Sequence, residues 1–147
     1  MIAREIEDLA GEGTTYGNLG GAYRIMGEPF KALEYYERRL EIAQKTGDTR
    51  RLAVGYGGIG NIYFDAENLE KALEYYKKAI LVAEQIGDKN AEATWSWNIG
   101  LVLEKMGEIK EAIKYFKTTV EFEKNIGHKN ADRDQEYLDR LYKIHLI

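Results

Sequence analysis

The chain has 147 residues, of which 44% are hydrophobic and 31% charged, and its formal net charge is −4. This length and composition fit a single soluble domain with its own core and exclude a disordered chain. The acidic balance argues against a nucleic-acid partner, which requires an excess of cations, and no apolar run is long enough for a membrane partner.

Proline and glycine predict where the helices begin and end. The single proline, Pro29, favours helix nearly throughout and suits the first turn of its own helix. Gly47-Asp48 and Gly87-Asp88 each place a glycine after one helix and a capping carboxylate before the next. These signals predict seven helices, at about 8–26, 29–46, 49–66, 69–86, 89–106, 109–126 and 129–145.

The same residue pattern returns every 40 residues. The sequence KALEYY stands at 31–36 and at 71–76, and EAIKYF follows at 111–116. The period predicts an all-α fold in one domain, 1–147, with three antiparallel helix pairs at about 8–46, 49–86 and 89–126. A lone helix at about 129–145 would then cap the array, with the charged pair Asp139-Arg140 on its exposed side.

Residues 55–60, GYGGIG, match the glycine pattern of a dinucleotide-binding loop. Gly60, however, aligns with Gly20 and Gly100, which lie in no such pattern, and the match falls inside a predicted helix. We therefore expect these glycines to let helices approach each other, and we expect no cofactor. An enzyme of the nicotinamide type is the alternative, and a β-strand near Val54 would support it.

The repeated residues resemble the tetratricopeptide repeat. Each copy has a leucine or isoleucine followed by glycine, then a small residue and an aromatic in the second helix: Leu19, Gly20, Tyr23, Ala32 and Tyr36; Ile59, Gly60, Tyr63, Ala72 and Tyr76; Ile99, Gly100, Leu103, Ala112 and Phe116. The 40-residue spacing is similar to the long repeats of Leu-Gly-Asn adaptors and kinesin light chains. The resemblance implies a right-handed α-solenoid whose first helices line a concave surface.

That concave surface is the predicted binding groove. Its candidate residues are Asn18, Gly21, Arg24, Gly57, Asn61, Phe64, Thr94, Trp97, Asn98, Leu101 and Glu104. We expect a bare floor at Gly17, Gly21 and Gly57 and a wall at Trp97, so alanine at Gly57 or Gly58 should stabilise the protein. The asparagines could hold a peptide backbone, because an amide both donates and accepts, or they could be solvated helix residues.

Catalytic signatures are missing from the sequence. Ser96 is the only serine, there is no cysteine, and His128 with Asp132 offers too few ligands for a metal. The resemblance also allows one family function to be tested: the chaperone-tail clamp needs cations where this chain has Gly17, Gly21, Gly58, Thr94 and Asn98. We therefore expect neither an enzyme nor a chaperone-tail binder.

The predicted function is a cytoplasmic protein-interaction scaffold that binds a peptide or a partner helix in its groove. The charged N-terminal residues do not form a signal peptide, which favours the cytoplasm. The alternative is a structural module that self-associates, or a fragment of a larger regulator. For self-association, the apolar C-terminal residues are the candidates: Tyr142, Ile144, Leu146 and Ile147.

Overall fold

A computed structural model describes residues 2–146, so Met1 and the predicted tail residue Ile147 lie outside it. Within that range there are seven α-helices and no strand. Their bounds are Ala3–Ile25 (α1), Pro29–Thr46 (α2), Thr49–Asp65 (α3), Leu69–Ile86 (α4), Lys89–Lys105 (α5), Ile109–Ile126 (α6) and Ala131–His145 (α7). The all-α prediction is confirmed, and the strand expected near Val54 by the nucleotide alternative is absent, since α3 covers that residue.

The predicted start of the first helix was wrong by five residues, because α1 begins at Ala3 rather than near residue 8. Residues 3–8 are exposed, so they carry no core stripe from which a helix could be predicted. Their helix is instead supported locally, since the backbone N–H of Ile2 donates to Glu5 Oε2 at 3.3 Å.

The predicted helix ends are built as expected. Gly47, Gly87 and Gly127 adopt left-handed φ values of 67°, 70° and 66° and close α2, α4 and α6. The carboxylates of Asp48 and Asp88 then accept the backbone N–H of Arg51 and Ala91, each at 3.0 Å. The matching linkers Gly47-Asp48 and Gly87-Asp88 therefore make the same turn between consecutive helix pairs.

Helices pack mainly on their neighbours in sequence, as in a solenoid. We call α1, α3, α5 and α7 the A helices, and α2, α4 and α6 the B helices. Leu19, one of the repeated residues, is 37% exposed, whereas its counterpart Ile59 is 1% exposed. The difference arises because α3 packs between α2 and α4, whereas α1 packs substantially on α2 alone.

The repeated glycines serve helix contact, as predicted. A Cβ on Gly20 would lie 3.0 Å from the ring of Tyr36, one on Gly60 would lie 2.7 Å from the ring of Tyr76, and one on Gly100 would lie 2.5 Å from the ring of Phe116. Each aromatic ring therefore packs directly on the backbone of the A helix in its own pair.

Candidate functional site

The bare groove floor was a wrong prediction, because side chains from neighbouring helices cover most of it. A Cβ on Gly57 would lie 2.2 Å from two ring carbons of Trp95, and one on Gly58 would lie 2.9 Å from Tyr36. Gly17 is covered by Arg39, whose guanidinium would lie 2.9 Å from a Cβ there. Only Gly21 is close to the expectation, with the Tyr36 hydroxyl 3.6 Å from its Cβ position.

Trp95 bridges two repeats on this floor. Its ring stacks on that of Tyr76, with centroids 5.8 Å apart and planes 21° apart, and it covers the backbone of Gly57 on α3. Beside it, Val54 and Thr94 line a depression of about 190 Å³ between α3 and α5. Trp95 therefore packs between repeats, and Thr94 lines the depression beside it.

Asn61 is held in place by a buried tyrosine. The hydroxyl of Tyr76 donates to Asn61 Oδ1 at 2.6 Å, and burial raises the pKa of Tyr76, so the phenol keeps its proton. With Oδ1 engaged, the Nδ2 group of Asn61 is the one left to donate outward. The alternative of a freely solvated asparagine therefore does not describe Asn61.

Asn61 and Asn98 line a common pocket on the A helices. Its volume is about 190 Å³, and it is lined by Arg24, Asn61, Phe64, Asp65, Tyr76, Asn98 and Leu101. Asn18, predicted alongside them, is exposed on α1 and does not line this pocket. The structure thus brings together two of the three predicted asparagines.

Side-chain contacts link consecutive A helices at this pocket and beyond it. Arg24 Nε lies 2.6 Å from Asp65 Oδ2, and this hydrogen bond raises the pKa of Arg24. Lys105 Nζ lies 5.0 Å from the centre of the Phe64 ring. One repeat further, Glu104 accepts a hydrogen bond from the Tyr137 hydroxyl. Three predicted groove residues, Arg24, Phe64 and Glu104, are therefore engaged in contacts between repeats.

Trp97 is packed within an aromatic cluster at the C-terminal end of the array. Its ring centre is 4.5 Å from that of Phe116 and 5.6 Å from that of Tyr137. Trp97 also lines a second pocket, of about 210 Å³, together with Thr94 and Asn98. Since Asn98 lines both pockets, they adjoin along α5.

Two charged residues of this second pocket, Glu123 and Asp134, were missed from the sequence. The other repeats have Ala43 and Ala83 at the position of Glu123, and Thr14, Val54 and Thr94 at the position of Asp134. Glu123 is 8% exposed and Asp134 is 4% exposed. Burial raises the pKa of Glu123, and the neighbouring Asp134 raises it further. A charge at a position that is small in the other repeats is the signal that would have found them.

Within residues 2–146 no group of three histidine, aspartate or glutamate side chains could hold a metal ion. His128, weighed with Asp132 as a ligand pair, has a local role, because its Nδ1 accepts the backbone N–H of Asn130 at 3.2 Å. Over the same range no helix has the length and apolar character needed to span a membrane.

The array of helix hairpins, with glycine opposite an aromatic in every pair, matches known families. Two family models described as tetratricopeptide repeat match residues 51–124 and 15–50. The chain belongs to the tetratricopeptide repeat family. None of the curated proteins matches it.

Solved structures share this fold at low sequence identity. Aspartyl phosphate phosphatase F from Bacillus subtilis superposes with a TM-score of 0.83 at 18% identity over 90% of this chain and 35% of that one. A Rap protein complexed with competence and sporulation factor gives 0.77 at 23% identity over 96% and 39%. A putative kinesin light chain from Podosopora anserina gives 0.74 at 15% identity over 88% and 64%. The chain thus spans under two fifths of the length of the first two structures.

Proposed function

We propose that the protein is a non-catalytic interaction module that holds an extended peptide along its A helices. The observation that supports this most is the adjacency of the two pockets, which share Asn98. Asn61, fixed by Tyr76, turns an amide donor outward one repeat away. Two amides on successive A helices suit a peptide backbone, whose N–H and C=O groups recur at regular spacing.

Relatives in fold support a peptide or protein partner. One of them is a Rap protein in complex with competence and sporulation factor, and this supports a partner of that kind for the present chain. The groove of the present chain also has an aromatic lining, because Trp97 lines one of the pockets that share Asn98 and Trp95 lines the depression beside Val54. Aromatic anchors beside amide groups are typical of surfaces that bind peptides.

The proposal is tested by selecting peptides from a random library on the immobilised protein and measuring their affinity for variants. Asn98→Ala should weaken the selected peptides by about tenfold, because a hydrogen-bonding residue common to both pockets is lost. Asn125→Ala, an exposed change on α6, is the matched control and should leave the affinity unchanged. If the selected peptides bound the wild type and Asn98→Ala with equal affinity, the proposed groove would not be their binding site.

Self-association is the second candidate, and exposed apolar side chains favour it. Tyr142, Ile144 and Leu146 near the C-terminal end are 40%, 71% and 40% exposed. Light scattering on the whole chain and on a chain cut after Lys143 tests it. A dimer that becomes a monomer on truncation would support self-association, and a monomer in both cases would eliminate it.

A further inference from the structure

The pocket of about 210 Å³ between α5, α6 and α7 has a composition unlike the rest of the groove. Two aromatic side chains, Trp97 and Phe122, line it together with two acidic ones, Glu123 and Asp134. Both carboxyl groups belong to residues that are more than nine-tenths buried. The pocket therefore combines apolar surface with negative charge that water does not solvate.

Glu123 lacks a partner for one of its oxygens. Its Oε2 atom is buried and makes no hydrogen bond within residues 2–146. Its other oxygen lies 3.6 Å from His128 Nδ1, which is too far for a hydrogen bond, and that nitrogen accepts the N–H of Asn130. Asp134 is paired with Arg133 at 2.8 Å. One guanidinium thus faces two acids, burial and the neighbouring Asp134 raise the pKa of Glu123, and Oε2 of Glu123 makes no hydrogen bond.

The fold itself does not require an acid at this position. Ala43 and Ala83 occupy the place of Glu123 in the first two repeats, where they are 2% and 0% exposed. Burying an unpartnered carboxyl costs stability, whereas alanine is the best helix former. The acid is therefore a local departure from the repeat that opposes folding, which is expected where a residue serves binding.

An ammonium group fits this arrangement. It carries one positive charge on three donors, which Glu123, Asp134 and the side-chain oxygen of Asn98 can accept. The ring of Trp97 adds the aromatic surface over which cations bind favourably. A metal ion fits less well, because the described residues provide no group of three ligands.

We propose that this pocket binds a primary ammonium group, either a lysine side chain or the amino terminus of the peptide. The inference rests on the proposed function, because the pocket opens beside Asn98, where the peptide backbone would lie. It specifies the peptide as one that places a cationic amine at the C-terminal end of the array.

The first experiment tests the pocket without a peptide. n-Butylammonium is titrated into the whole protein while the indole N–H signals of Trp95 and Trp97 are followed by NMR. The Trp97 signal should shift to saturation, and Glu123→Ala should weaken binding by tenfold or more, since a charged partner is lost. Glu121→Ala, an exposed acid on the same helix, is the matched control and should bind like the wild type.

Glu123→Ala restores the residue of the other repeats, so the variant should fold, and circular dichroism verifies this. Equal binding of n-butylammonium by the wild type and Glu123→Ala would overturn the inference. So would a shift caused equally by n-butanol, which has no charge, or tighter binding of n-butylguanidinium. None of these outcomes bears on the peptide groove, which is tested separately by the affinity of the Asn98→Ala variant for the selected peptides.

The second experiment uses peptides selected on the wild-type protein and identifies the source of the amine. Acetylating the amino terminus and replacing lysine with norleucine are compared, and the change that weakens binding marks the group in the pocket. If neither change weakens binding, or if Glu123→Ala binds the peptide as well as the wild type, the inference fails while the groove stands. If no peptide binds at all, the proposed function fails.

The dependence of n-butylammonium binding on pH provides a further test. Four charged or titratable groups face the pocket: Glu123 from α6, Asp134 and Arg133 from α7, and His128 from the linker. The lining residues that α5 contributes carry no charge. An ammonium binds the ionised acid, and burial raises the pKa of Glu123. The affinity for n-butylammonium should therefore fall as the pH is lowered from neutral through the raised pKa of Glu123. An affinity that stays constant over this range would contradict the proposal.

Discussion

Single residues in the A helices are small because side chains from neighbouring helices use the space. Tyr36 shows this twice, since its ring lies against both Gly20 of α1 and Gly58 of α3. Trp95 fills the corresponding space at Gly57. The glycines of the second repeat thus mark close approach between helices of different pairs as well as within a pair.

We predict that Gly57→Ala lowers the free energy of unfolding by about 1–3 kcal/mol, because the new Cβ overlaps the rigid ring of Trp95. Gly11→Ala is the control, since nothing lies within 4 Å of its Cβ position, and it should raise stability by up to about 1 kcal/mol. Urea unfolding of both variants measures the difference. If Gly57→Ala instead stabilised the protein, Gly57 would lie on an open helix face, as the sequence predicted.

We predict that Glu123→Gln raises the free energy of unfolding by about 1 kcal/mol at neutral pH, because it removes the cost of a buried charge. The pKa of Glu123 is raised on folding, so the native state favours the protonated form. The stability that this proton provides is complete below the ordinary glutamate pKa and is lost as the pH rises through the raised one.

The increase in the free energy of unfolding caused by Glu123→Gln should therefore become smaller as the pH is lowered toward about 4. Thermal unfolding at several pH values measures it, with the exposed Glu121→Gln as the reference. A gain that is the same at every pH would show that the charge of Glu123 is not its cause.

Residues that were predictable from the sequence are those whose role repeats. Gly20, Gly60 and Gly100 share one contact, so the 40-residue period predicts it. A periodic pattern does not predict a role for residues that have no counterpart of the same charge in the other repeats. Such residues are Asp65, Glu123 and Asp134. The covering of Gly57 was also beyond prediction, because it depends on how far a side chain of α5 reaches toward α3.

At the scale of helices, most boundaries follow from local chemistry. Gly87 predicts the end of α4 and Asp88 predicts the start of α5. In the structure Gly87 is the C-cap of α4 and Asp88 is the N-cap of α5. The start of α1 was missed because Ala3–Asp8 forms helix without burying a face. Helix ends with a capping signal could therefore be predicted, whereas an exposed extension could not.

We predict that Asp88→Ala lowers the free energy of unfolding by about 1 kcal/mol, because the N–H of Ala91 loses its side-chain acceptor. Glu108→Ala is the control, since Glu108 precedes α6 but its side chain makes no capping hydrogen bond. Equal effects of the two substitutions in urea unfolding would show that the carboxylate of Asp88 does not act as a cap.

At the scale of the whole molecule, stability is unevenly distributed along the array. The main core cluster joins residues from α4 to α7, including Tyr76, Ile99, Phe116 and Leu138. In α1, by contrast, the only buried residues are Gly13 and Gly20. The first helix is held by its pairing with α2 and by the exposed Arg24–Asp65 pair, which contributes little in water.

We predict that α1 opens at a lower free energy than α3, α4 and α5, as expected for a terminal unit of a repeat array. Native-state hydrogen exchange should show the amides of residues 3–25 exchanging before those of residues 49–105. Exchange of both segments at a single free energy would indicate that the array unfolds as one cooperative unit.

The central claim is that a peptide lies along the A helices, and NMR mapping with a selected peptide tests it most directly. Backbone amide shifts on adding the peptide should concentrate around Asn61 on α3 and around Thr94, Trp97 and Asn98 on α5. Shifts confined to the B helices, or to the exposed end of α7 near Ile144, would contradict the proposed binding mode.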